Sequence, residues 1–126
     1  VQLASRLDAD VVGVVRDERH VPFVLEQGAG RVIVDPGNSF HKKLGAWQAD
    51  VALDCVGQPT FHATLRSLRV GGGLTVIGNV VQEPVSVNLG YVIVAGLTIV
   101  GSSGATPSDM ADALLRAAKA KGVTLS

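Results

Sequence analysis

The stretch Asp50-Val51-Ala52-Leu53-Asp54-Cys55-Val56-Gly57 decides the fold. It is a short, largely apolar run that stops at glycine. A second run, Gly71-Gly72-Gly73-Leu74-Thr75-Val76-Ile77-Gly78, ends the same way. Between them, Pro59–Leu68 carries Phe61, Leu65 and Leu68 at the i, i+4, i+7 spacing of a helical stripe. Strand, helix, strand at this spacing predicts a βαβ unit whose strands are parallel neighbours. In open parallel sheets, ligands lie outside the carboxyl ends of the strands. Gly57 and Gly78 stand at those ends, where a missing side chain lets a flat ligand approach backbone.

Working outward, the same alternation continues. Val11–Val15 is continuously apolar, as expected for a strand buried on both faces. A helix follows, with Pro22 in its first turn, Val21, Val24 and Leu25 inward, and Gly28 as its stop. Val32–Val34 reads as a strand closed by the turn Asp35-Pro36-Gly37, and Phe40–Ala46 as a brief helix. Val1–Leu7 reads as the end of a helix. Residues 79–87 are a loop, Asn88–Ala95 is open between helix and strand, and Leu97–Gly101 is a strand. Thr106-Pro107-Ser108-Asp109 starts a helix with a hydroxyl cap, proline at its first position and a carboxylate at its third. Met110, Leu114 and Ala117 are its expected core face. Strands alternating with helices give an α/β class with a parallel sheet, in a single domain over residues 1–126.

Composition narrows the function classes. Apolar residues make up 47% and charged residues 17%, which suits a packed core and argues against disorder. The 11 basic and 11 acidic residues cancel, so no basic field favours nucleic acid or an anionic membrane. Aromatic residues are only 4%, too few for a base-stacking platform. No apolar run approaches the ~20 residues of a membrane span, and no signal peptide opens the chain. The single Cys55 forms no internal disulfide, in keeping with a reducing cytoplasm.

Several chemistries lack their residues. His20, His41 and His62 have no ligand-like spacing, and with one cysteine a zinc set is unsupported. No Gly-x-Ser-x-Gly is present for a hydrolase elbow. Cys55 reads as a packed thiol and Asp50 as a cap or turn residue. No Gly-x-Gly-x-x-Gly occurs either, and Gly71-Gly72-Gly73 reads as a turn preceding a strand. The tip of Val11–Val15 is more telling. In dinucleotide folds an acidic residue there bonds the ribose hydroxyls. Here Val15 holds that position and Arg16 follows. A guanidinium suits a 2′-phosphate, which it grips bidentately. The competing reading is a solvated arginine, with Asp17 beside it.

The order Val1-Gln2-Leu3-Ala4, Val11–Arg16, Gln27-Gly28-Ala29, Asp50–Gly57, Leu68–Gly78 and Gly96–Ser102 resembles the medium-chain dehydrogenase/reductases. That family includes zinc alcohol dehydrogenases and zinc-free quinone and enoyl reductases. The resemblance implies a Rossmann-type doubly wound parallel sheet, incomplete here, because the first strand and its glycine loop would lie upstream of Val1. It implies hydride transfer between a nicotinamide cofactor and an alcohol, aldehyde, ketone or enone, and with Arg16 at the strand tip that cofactor is NADP, with NAD the alternative. By position, Val56 and Gly57 would line the cofactor cleft. Ile77, Gly78 and Asn79 would present backbone to the nicotinamide amide, and Gly101 and Ser102 would end the sixth strand. Any zinc and all catalytic residues would lie in a domain outside this chain, so no catalytic residue is assigned. Leu97–Gly101 would pair with its copy in a homodimer, the alternative being an edge covered by the Thr106–Lys121 helix or by the other domain. The family strand order 3-2-1-4-5-6 with strand 1 missing predicts a break between Val11–Val15 and Val51–Cys55. Two rivals stand beside this reading: a non-catalytic or merely dimerising fragment, and a methyltransferase-type α/β domain. The latter fold wants an acidic residue where Val15 stands.

Overall fold

Among the described residues the apolar runs form five parallel strands, split between two sheets. The structure is a computed structural model and describes residues 1–122. Val12–Val15 (β1) pairs with Arg31–Val34 (β2). Ala49–Asp54 (β3), Leu68–Val76 (β4) and Thr98–Gly101 (β5) form the second sheet in the order β3-β4-β5. Among the described residues no ladder joins β1 to β3. The break falls where the family's strand order places its first strand. Val51 and Leu53 of β3 are 66% and 63% exposed beside it.

Helix Gln2–Arg6 (α1) precedes the strands, Val21–Glu26 (α2), Gln58–Arg66 (α3) and Leu89–Ala95 (α4) connect them, and Pro107–Ala120 (α5) follows them. Phe61 and Leu65 of α3 bury their stripe against Ala49, Leu68 and Leu74, with Trp47, Tyr91, Val92 and Leu97 closing the cluster. Each fully buried Leu or Phe side chain stabilises by about 1.5–3 kcal/mol relative to exposure. A smaller cluster of Ile33, Phe40, Leu44 and Ala63 joins the two sheets, because Phe40 lies in a short 3₁₀ turn, Phe40–Lys43, that packs on α3. Trp47 packs against both clusters. Its Nε1 donates to Asp10 Oδ2 at 3.0 Å, tying together the segments that lead into β1 and β3.

Several sequence expectations need correction. Gly71-Gly72-Gly73 lies inside β4 rather than before it. The strand starts early, at Leu68, and the ladder jumps from Ala49↔Leu68 to Val51↔Gly73. Gly71 (φ +79°) absorbs that irregularity. Leu68 therefore belongs to β4, although it joins the same core as Phe61 and Leu65. Leu97 precedes β5 instead of opening it. Asn88–Ala95 resolves as helix: the Asn88 side chain accepts from Tyr91 N at 3.1 Å, and Gly96 ends it in a left-handed conformation. Leu25 is exposed on α2, while Val21 and Val24 are half-buried. On α5 the capping box of Thr106 and Asp109 forms as expected, but Met110 and Leu114 are 59% and 60% exposed. Ala117 is half-buried as expected, but beside Ala113 and Ala118 rather than Met110 and Leu114.

Candidate functional site

The carboxyl ends of β3 and β4 are locked to each other by backbone. Ile77 N donates to Asp54 O at 2.8 Å, and Val80 N donates to Val56 O at 2.8 Å, so pairing continues past the strands. Gly57 has φ +97° and ψ −128°, a conformation essentially reserved for glycine. A β-carbon there would meet Asn79 Cα at 2.7 Å and Gly78 O at 2.9 Å. A β-carbon on Gly78 would run into the Cys55 carbonyl. The two glycines read from the sequence as room for a ligand thus first make room for each other's loops. Val56 and Ile77 stand exposed at these ends, at 41% and 50%, as an apolar wall.

Asp54, at the last position of β3, fixes the turn. It is 3% exposed. Its Oδ1 accepts the amides of Val56 and Gly57, both at 2.9 Å. Thr60 Oγ1 donates to the same carboxylate at 2.8 Å, and Thr64 Oγ1 at 2.7 Å. Burial pushes the Asp54 pKa up. The Gly57 amide, the Thr64 and Thr60 hydroxyls and the Val56 amide outweigh burial and hold it below the ordinary carboxylate value. Sequence reading weighs Asp54 only beside Asp50, as carboxylates flanking Val51–Leu53, and gives Thr60 and Thr64 no role. The signals were there: an aspartate three residues before glycine at a strand end, and threonines four apart on one helix face.

The β5 end completes the row. Ser102 N donates to Val76 O at 2.9 Å, which sets Gly101 and Ser102 beside the β4 end. Nothing lies within 4 Å of a β-carbon built on Gly101, so space is open there. Val56, Gly57, Ile77, Gly78, Asn79, Gly101 and Ser102 therefore share one rim. Val15 and Arg16 do not join it directly, since they end β1 in the other sheet. Val15 O accepts from Asp35 N at 2.8 Å. Arg16 is exposed, and Arg19, not Arg16, pairs with Asp17 at 3.3 Å. Arg16 thus stands solvated, as its competing reading has it, while Asp17 is taken up by Arg19.

No three His, Cys, Asp or Glu side chains come together as a metal-ligand set among the described residues. The described residues hold no set that fits a zinc site. No described helix is long and apolar enough to cross a membrane.

A sequence description of the family named "Zinc-binding dehydrogenase" matches residues 1–120. The chain belongs to this family. The acryloyl-coenzyme A reductase of Sulfurisphaera tokodaii is 39% identical over 118 residues, covering 90% of this chain and 34% of the relative. That of Metallosphaera sedula is 37% identical over 122 residues, covering 96% and 36%. The crystal structure of AibC superposes with a TM-score of 0.86 at 38% identity, over 99% of this chain and 36% of that one. The NADPH-bound structure of YHDH from E. coli matches in fold, with a TM-score of 0.74 at 22% identity, over 92% of this chain and 36% of that one. This zinc-binding dehydrogenase family chain spans about a third of the length of the curated relatives it matches. Its α/β, Rossmann-like fold with parallel sheets agrees with that membership.

Proposed function

We propose that residues 1–126 are the larger part of the dinucleotide-binding domain of an NADP-dependent oxidoreductase. The observation that carries this is the rim of adjoining strand ends, Val56–Gly57, Ile77–Asn79 and Gly101–Ser102, in a chain of this family. Bound NADPH would supply hydride. The chain's part is to orient the cofactor and exclude water. Val56 and Ile77 offer apolar surface to the nicotinamide ring. The Ile77 amide turns back on Asp54 O, which leaves carbonyl oxygen, the acceptor a carboxamide NH₂ needs. Arg16 is the group for the 2′-phosphate.

For the substrate we favour an α,β-unsaturated acyl thioester, on the likeness to acryloyl-coenzyme A reductases. The intact protein would then deliver hydride to an activated double bond, with the catalytic groups outside these residues. The lone unpaired Cys55 supports a cytoplasmic setting.

The test is direct. NADPH and NADH titrations of the full-length protein should show NADPH bound tighter. Arg16→Ala should weaken NADPH by about ten- to a hundredfold, since a lost charge-assisted hydrogen bond costs roughly 1.5–3 kcal/mol. NADH should change little. Equal loss for both cofactors removes Arg16 from the site.

We also propose a homodimer through β5. Its outer edge is unpaired among the described residues, and the strand carries no proline, lysine or glutamate to blunt it. Antiparallel pairing with a second copy would continue the sheet across a twofold axis. Sedimentation should give a dimer at micromolar concentration, and a monomer there would refute this interface.

A further inference from the structure

We propose that Asp54, backed by Thr60 and Thr64, is a positioning group for the cofactor. It holds the Val56–Gly57 turn in the shape that the nicotinamide half lies against, without touching the ligand. This rests on the functional reading above.

The placement is costly for a strand end that only had to pack. A buried carboxylate with no cation beside it is unfavourable unless hydrogen bonds satisfy it. Here four donors do so: two turn amides and two hydroxyls from α3. The amides held are those of the two residues that face the rim. The turn they belong to is strained toward a glycine-only conformation at Gly57. Without the carboxylate, both amides lose their acceptor. Val56 then loses its fixed direction, and the Val80 amide on Val56 O loosens with it. The threonines brace the carboxylate from behind: Thr64 lies one helical turn beyond Thr60, and its hydroxyl is also 2.9 Å from Thr60 O. The network thus ties the turn to Thr60 and Thr64 of α3.

The test uses the full-length protein and NADPH, with binding read by fluorescence. Hydrogen exchange at the Val56 and Gly57 amides and the melting temperature are measured in parallel. Asp54→Ala should raise the NADPH dissociation constant about ten- to a hundredfold and speed exchange at both amides. Asp54→Asn keeps one acceptor oxygen for the amides and should fall within about tenfold of wild type. Thr64→Val should show a smaller loss in the same direction. Ile33→Ala, a core variant on β2 of the other sheet, should lower the melting temperature while leaving NADPH affinity unchanged well below it. Should Asp54→Ala fail to fold, Asp54→Asn and Thr64→Val carry the comparison. Asp54 variants that melt lower yet bind NADPH like wild type would reduce the network to a structural role. Wild-type protein that binds no NADPH would overturn the functional reading, and this proposal with it.

Discussion

The two sheets end in different ways. On the three-stranded side, the strand ends are built from backbone. Asp54 and the Gly57–Gly78 contact hold a continuous rim, and little of it depends on a mobile side chain. On the two-stranded side, side chains tie down the β2 end. Asp35 accepts from Ser39 N at 2.6 Å and pairs with Lys43 at 3.2 Å, while Lys43 Nζ donates to Val34 O at 2.8 Å. The β1 end instead presents Arg16 to solvent. A rigid rim suits the part of a ligand that must be placed for chemistry. A single loose cation suits a part that need only be recognised by charge. In this reading the chemical end of the cofactor is preorganised by the fold, and its specificity end hangs on one side chain.

The largest expected effect separates the two sides by their cores. Phe61 is 6% exposed at the centre of the cluster under β3 and β4. Phe61→Ala should cost about 3–5 kcal/mol in chemical unfolding of the full-length protein, through lost transfer energy and the cavity left behind. Its damage should fall first on the rigid rim, as faster hydrogen exchange at β3 and β4 amides with β1 and β2 less affected. Uniform exchange across both sheets would show that the halves are one cooperative unit and would erase the contrast. A cost below ~1 kcal/mol would mean that Trp47, Tyr91 and Leu97 collapse into the space.

What was legible in the sequence follows the same division. The strands were readable because each is a short apolar run ended by glycine or a turn, and a βαβ spacing fixes parallel pairing. The break between the sheets followed from the family's strand order. The strand boundaries near Leu68–Gly73 were not readable. Three glycines signal a turn, and only the tertiary register with β3 drew them into the strand. The face of α5 was misread for a related reason. Met110 and Leu114 have the right spacing for burial, but nothing among the described residues covers them, and the alanines lie inward. The glycines of the rim were found, though their first role is contact between backbones. The Asp54 network was missed, because the aspartate sits in an apolar strand and its threonine partners lie on the following helix. Only the fold brings the six- and ten-residue separations together.

The smallest effect concerns the seam itself, where the two-stranded side rests on α3. His41 follows Phe40 in the turn that makes this contact, and its ring meets His62 of α3 edge-on at 5.7 Å. Its Nδ1 is buried without a hydrogen-bond partner. Burial lowers its pKa, and the neighbouring His62, Lys42 and Arg66 charges lower it further, with Asp35 opposing weakly. Arg66 stays close because its guanidinium stacks over Tyr91 at 4.3 Å. The folded state thus favours neutral His41, whereas the unfolded chain protonates at about 6.5. The seam's contribution is complete above that value and declines as pH falls below it toward the lower folded pKa. Wild-type protein should therefore lose more of its denaturant midpoint between pH 7.5 and 5.5 than His41→Gln does. The β1 and β2 amides should exchange faster first, because the seam is what holds them to the rigid side. An identical pH slope in the two proteins would show that His41 does not report on the seam, and that the halves are held by Phe40, Leu44 and Trp47 alone.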